Sequence, residues 1–297
     1  MILLVMINEI SASSFNQSKF CPTPAWNPFG ITFTNETILG QYPFALFINT
    51  NNTIYTVNQE KKQILMWNNN SSNPNKVVNV NFDESLSIFV TNNGDIYYDS
   101  GDSNGRVDKL ISNTNSSVNV MNVDSECSGL FIDINDTLYC SMIFDHKIVK
   151  RWLNDSEMIT TTVAGTGISG YASNELSYPR GIFVDLNFDL YVADCDNNRI
   201  QLFKSGELNG ITIVGRGSSN DIISLFCPSG IVLDADKNLF SVDQWNHRII
   251  RSGSNHIQCI IGCSGQGSQS NQLSLPITLS FDIYGNIFIL DHSNQRI

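Results

Sequence analysis

Short apolar runs alternate with polar turns along almost the whole chain, and none of the informative ones keeps a helical period. The most regular stretch runs from Tyr178 to Phe203, YPRGIFVDLNFDLYVADCDNNRIQLF. It begins with a turn-breaking Pro179, continues through Gly181, Ile182, Phe183 and Val184 to Asp185, and then turns sharply. Leu190 to Asp194 is β-branched and aromatic, and a loop rich in Asp and Asn, Cys195 to Asn198, leads into Arg199 to Phe203. A Gly-containing turn precedes a fourth run, Ile211 to Val214. Short β-branched and aromatic runs bounded by turn formers predict strands. Four in a row make an antiparallel meander with two apolar faces, which must stack on copies of itself.

Those copies are present. Aligned on the residue that closes the first strand they fall at Asn49, Thr91, Asp133, Asp185, Asp234 and Asp282, spaced by 42, 42, 52, 49 and 48 residues. The second strand carries an aliphatic–aromatic pair each time: Ile54-Tyr55, Ile96-Tyr97, Leu138-Tyr139, Leu190-Tyr191, Leu239-Phe240 and Ile287-Phe288. Eight or nine residues further on stands a basic–aliphatic pair, Arg106-Val107, Lys147-Ile148, Arg199-Ile200, Arg248-Ile249 and Arg296-Ile297, with Gln63-Ile64 in the first copy. A period of this length predicts the blades of a propeller.

Pro-Arg-Gly-Ile-Phe-Val-Asp, Leu-Tyr-Val-Ala-Asp and Asn-Asn-Arg-Ile together resemble the NHL repeat, the unit of six-bladed β-propellers. The resemblance covers about residues 43 to 297 and is tightest in the last three copies. It implies an all-β, six-bladed β-propeller of four-stranded antiparallel blades. It does not fix a function, since similar propellers bind proteins or RNA and relatives act as lyases and hydrolases.

Residues 30–34 (Gly-Ile-Thr-Phe-Thr) read like the fourth strand at 210–214, whereas the last copy stops at Ile297, at the start of its third strand. Open sheets in a ring must join last to first or leave edges exposed. The expectation is therefore that residues 30–34 supply the outer strand of the last blade, that the last blade is incomplete, and that the chain is a fragment of a longer one. Residues 30–297 form one propeller domain, preceded by an N-terminal segment at 15–29. Residues 1–14, an apolar run followed by Ser11-Ala12-Ser13, are read as a short signal peptide, too short to cross a bilayer.

Charge narrows the partners. Seventeen basic and 28 acidic residues give −11, which disfavours nucleic acid as a ligand. The repeated arginines are expected to be spent on structure, as pairs of Asp194 with Arg199, Asp243 with Arg248 and Asp291 with Arg296. The functional alternative is a loop-face pocket built from Arg180, Arg199, Trp245, His247 and Arg248. Gly165 to Gly170 spells GxGxxG, but a strand follows where a dinucleotide site needs a helix, so it is read as a repeat turn. Four His residues at scattered repeat positions do not converge as metal ligands, and no cofactor or metal is expected. The His set of the related amidating lyases is not matched.

The sequence holds seven Cys and eight Asn-x-Ser/Thr sequons. With 36 Asn the sequon count proves little, but Asn51 and Asn135 share the tip of the first turn of their copies, where a glycan would meet solvent. Cys195 with Cys227, and Cys259 with Cys263, are the expected bridges. The reading is a secreted, monomeric, non-catalytic binding propeller that holds a protein or glycan on its loop face. The alternatives are an intracellular RNA-binding or ubiquitin-ligase-associated module, and a lyase or hydrolase working in the central channel.

Overall fold

The computed structural model describes residues 15–20, 24–68, 71–101, 105–111, 116–218, 223–253 and 256–297; the expected signal peptide at 1–14 lies outside them. The chain is an all-β propeller of four-stranded antiparallel blades. The first comprises Leu46–Ile48, Ile54–Asn58, Gln63–Trp67 and Lys76–Asn79, in that order from the axis outward. The second, Ile88–Val90 to Ser116–Asn122, third, Cys127–Ile132 to Thr161–Gly165, fourth, Pro179–Val184 to Ile211–Gly215, and fifth, Pro228–Leu233 to Ile257–Ile261, repeat that order. A sixth sheet has two strands, Pro276–Phe281 and Ile287–Asp291.

Six complete blades are therefore not found, and residues 30–34 form no strand. Around Ile297 the chain makes instead an isolated bridge, Asp291 with Arg296, and a backbone exchange with the N-terminal segment. Phe33 and Thr34 N–H donate to the Ile297 carbonyl (2.7 and 3.4 Å), and Ile297 N–H donates to the Thr34 carbonyl (3.1 Å).

In five of the six copies the first-to-second-strand turn is built by its closing residue. Oδ1 of Asp185 accepts the N–H groups of Asn187 and Asp189 (2.8 and 3.0 Å), and Asn49, Asp133, Asp234 and Asp282 do the same in their copies. Three residues past the closing residue the backbone is left-handed in every copy: Asn52, Gly94, Asp136, Phe188, Lys237 and Gly285. A short acceptor side chain that satisfies two turn N–H groups makes this bend affordable even for Phe and Lys.

Packing round the axis sets a size limit at one position of the first strand. A Cβ on Gly129 would lie 2.7 Å from the Arg180 carbonyl, one on Gly181 2.1 Å from the Ser229 carbonyl, and one on Gly230 2.8 Å from Thr278 Cα. Neighbouring backbones approach so closely there that glycine is required. Two positions later Phe47, Phe89, Phe131 and Phe183 stack on one another in sequence, with centroids 4.8, 5.2 and 5.0 Å apart. Val232 and Ser280 stand where the fifth and sixth sheets would supply the next two rings.

Candidate site: the loop face and the central well

On the face that carries the second-to-third-strand loops, three consecutive sheets repeat one lock. Asp194 Oδ1 accepts Ser177 N–H (2.7 Å), and Oδ2 accepts Asn197 Nδ2 (2.9 Å) and Arg199 Nε (2.7 Å). The arginine's outer nitrogens donate to the Tyr171, Ala172 and Glu175 carbonyls of the preceding loop. Asp243, Asn246 and Arg248 repeat the arrangement, as do Asp291, Asn294 and Arg296. Burial pushes the Asp194 carboxyl above its ordinary range, while the N–H groups of Ser177, Asn197 and Arg199 pull it back.

A second repeated contact links the third, fourth and fifth blades each to the next sheet. The residue just before the basic–aliphatic pair is left-handed, and its side chain accepts the N–H of the residue before the next blade's proline. Tyr178 N–H donates to His146 Nδ1 (3.1 Å), Cys227 N–H to Asn198 Oδ1 (2.9 Å) and Leu275 N–H to His247 Nδ1 (3.0 Å). Burial holds His247 below the usual imidazole range, which keeps Nδ1 free to accept.

Along the axis lies a cavity of about 110 Å³. Its floor is the stack of Phe47, Phe89, Phe131 and Phe183, joined by Phe15 at 5.0 Å from both Phe131 and Phe183. Phe15 is held in place by its neighbour, since Asn16 Nδ2 donates to the carbonyls of Ile48, Asn49 and Phe281. All five rings are buried, so this end is closed. At the other end Phe44, Leu86, Ser128, Arg180 and Ile277 are partly exposed, and the well opens there onto the loop face.

Arg180 differs from every other arginine of the chain. Among the described residues it makes no hydrogen bond or ion pair and lies on no aromatic ring, and its buried Nε has no partner. Burial pulls the guanidinium below its ordinary range, and only the more distant Asp196 opposes this. The five-residue pocket expected from sequence therefore divides. Arg199 is 3% exposed and committed to Asp194, Arg248 is committed to Asp243, and His247 is a backbone acceptor. None of these three lines the well. Trp245 is half exposed and lies against Phe226, 5.9 Å away.

Phe144 and Tyr178 form an equivalent exposed pair, 6.0 Å apart, and Phe44 on the rim packs on His292 at 4.8 Å. Sequence reasoning missed these aromatics, the Asn of each lock, Phe15 and the Cys127–Cys140 disulfide. The Asn was within reach, because Asp-x-x-Asn-x-Arg recurs three times. Cys195–Cys227 and Cys259–Cys263 are both bonded. Three disulfides suggest an oxidising environment. Asn51 and Asn135 are exposed at their turns, whereas the Asn16 sequon is engaged in the channel. Among the described residues no helix is long and apolar enough to cross a membrane, and no cluster of three metal-ligating side chains occurs.

At the level of sequence no family model and no curated protein matches the chain. Solved structures match its shape. A Bacteroides thetaiotaomicron protein of unknown function superposes with a TM-score of 0.71 at 12% identity, covering 90% of this chain and 74% of that one. An auxiliary nutrient binding protein from the same organism gives 0.66 at 14%, covering 96% and 74%. A streptogramin B lyase gives 0.63 at 15%, covering 90% and 95%. Identities this low establish the propeller fold and nothing finer.

Proposed function

We propose that this chain is a six-bladed, NHL-like propeller that serves as a non-catalytic, secreted binding module and holds a protein or glycan partner on its loop face. Six blades follow if the two-stranded sheet is a blade completed through the N-terminal segment. In support, Phe33 packs between Trp67 of the first sheet and Phe288 of the sixth, 5.8 Å from each. The first strands of these two sheets also touch.

The observation that carries the binding reading is the pair of exposed aromatic couples, Phe144 with Tyr178 and Phe226 with Trp245, on the face that also bears the well. Exposed aromatics on a rigid frame bind with little ordering cost. They suit both protein hot spots and sugar faces. The likeness to a nutrient binding protein agrees with a ligand-holding role. The test is a glycan array and cross-linking to extracellular proteins. Phe144→Ala/Trp245→Ala should lose the partner that the parent and Tyr284→Ala, altered on the opposite face, both retain. Equal retention by all three would refute the loop face.

The likeness to streptogramin B lyase favours a second reading, a lyase working at the well. Against it, none of the four His residues lines the well, and His146, His247 and His292 stand in three different sheets. Cleavage of a streptogramin B by the purified chain would establish that reading instead.

A further inference from the structure

A half-buried charge in a well that has no other charged side chain among the described residues is costly unless something neutralises it. The other arginines show how this fold treats guanidinium groups: Arg199 makes four hydrogen bonds, and Arg216 and Arg251 each lie on an aromatic face. Arg180 is left with none of these, at the mouth of a cavity whose floor is five phenylalanine rings. We propose that the central well binds an apolar carboxylate, with the carboxylate on Arg180 and the hydrocarbon body on the phenylalanine floor. This assignment rests on the loop-face reading and gives it a ligand chemistry.

Charge, shape and the supply of donors select that class. One guanidinium offers a planar fork that matches one carboxylate, and among the described residues no second cation lines the well to balance a phosphate dianion. Ser128, the equivalent rim residue of the preceding sheet, stands beside Arg180: a Cβ on the adjacent Gly129 would lie 2.7 Å from the Arg180 carbonyl. Of the other lining hydroxyls, Ser87 donates to the Cys127 carbonyl and Ser229 to that of Ile277 (2.6 Å each), and Ser280 accepts Ile48 N–H (3.2 Å), which leaves Thr278. A polyhydroxylated sugar would therefore find few donors and acceptors deep in the well. The volume, about 110 Å³, is somewhat below that of an apolar cavity of ~150 Å³ that accepts benzene. It suits an aryl or branched-alkyl group of side-chain size. Such a group with a carboxylate exists as a free acid and as the C-terminal residue of a peptide.

The test uses the full chain and isothermal titration with benzoate, phenylacetate and, as the neutral isostere, benzamide. At least one carboxylate should bind, and benzamide should bind at least tenfold more weakly, a comparison that needs no variant. Arg180→Gln should abolish that discrimination, and Ser128→Phe, which fills the mouth, should weaken every ligand. Near-UV circular dichroism checks that each variant is folded. Peptides ending in Phe or Leu, free or amidated, separate the sources. Tighter binding of the free-acid peptide than of benzoate identifies a chain terminus, and weaker binding a small acid. Equal binding of benzoate and benzamide, unchanged benzoate affinity in folded Arg180→Gln, or no carboxylate binding at all would overturn the proposal. If the aromatic-pair variant still loses its partner in that event, the loop-face reading stands and only the well is lost.

Discussion

Replacing Asp194 by Ala measures how much of the fold depends on the repeated lock. The carboxylate is fully buried, and its removal leaves Ser177 N–H, Asn197 Nδ2 and Arg199 Nε without their acceptor. Arg199 is itself 3% exposed, so its charge cannot recover the loss in water. Breaking one half of a buried pair costs about 3–5 kcal/mol. At roughly 2–4 °C per kcal/mol for a domain approaching this size, the melting temperature should fall by about 6–20 °C. Asp243→Ala should cost less, because Arg248 is 25% exposed and can be hydrated. The double variant Asp194→Ala/Arg199→Leu should regain part of the loss, since no orphaned cation remains. Urea unfolding followed by fluorescence and circular dichroism gives each value. A loss under about 1 kcal/mol for Asp194→Ala, or equal losses for Asp194 and Asp243, would refute the lock as a buried, mutually dependent unit.

Removing the disulfides one at a time should destabilise the chain in order of the loop each closes, by about 3.7 kcal/mol for Cys195–Cys227, 2.9 for Cys127–Cys140 and 1.9 for Cys259–Cys263 on loop entropy alone. Paired Cys→Ser variants in urea test this, and a reversed order would overturn it. Burial, with the Glu126 charge adding to it, pushes Asp99 up to about 8, so the folded state holds a proton that the unfolded state releases near pH 4. Stability should therefore fall as pH rises from about 4 to 8 by up to several kcal/mol from this group, and then level. Asp99→Asn should lack that slope, and identical pH profiles of urea midpoints would exclude the effect. Gly181→Ala should cost more than about 1–3 kcal/mol, because its methyl would meet the backbone carbonyl of Ser229, which has no rotamer to yield. Thermal melts that leave Gly181→Ala within 0.5 kcal/mol of the parent, on the order of a surface substitution, would contradict the close approach of the inner strands.

The features legible in the sequence are those that the ring repeats. The closing residues at 133, 185, 234 and 282 and the Asp–Arg spacing of five could be seen because identical surroundings demand identical residues. The same logic explains why small residues recur at Ala45, Ser87, Gly129, Gly181 and Gly230, with Thr278 in the last copy, a column visible once the copies are aligned. What escaped was the singular. Phe15 has no counterpart in any copy, because only one residue can occupy an axis shared by all of them. Residues 30–34 look like a strand because Ile31 and Phe33 alternate with Thr. In the structure Ile31 is 92% exposed, and only residues 33 and 34 engage Ile297.

The same distinction separates Arg180 from the arginines with which sequence reasoning grouped it. Arg199, Arg248 and Arg296 each stand five residues after an Asp, across one loop, and their geometry follows from that spacing. Arg180 stands instead in the inner strand, where the aligned residues are Phe44, Leu86, Ser128, Ser229 and Ile277. A structural requirement of the repeat would have to act in all six copies, and no other copy has a charge there. Its cost is borne by one blade alone, where burial opposes the charge and only the more distant Asp196 offsets it. A position that departs from its own repeat toward a less stable choice is where ligand binding is the economical explanation.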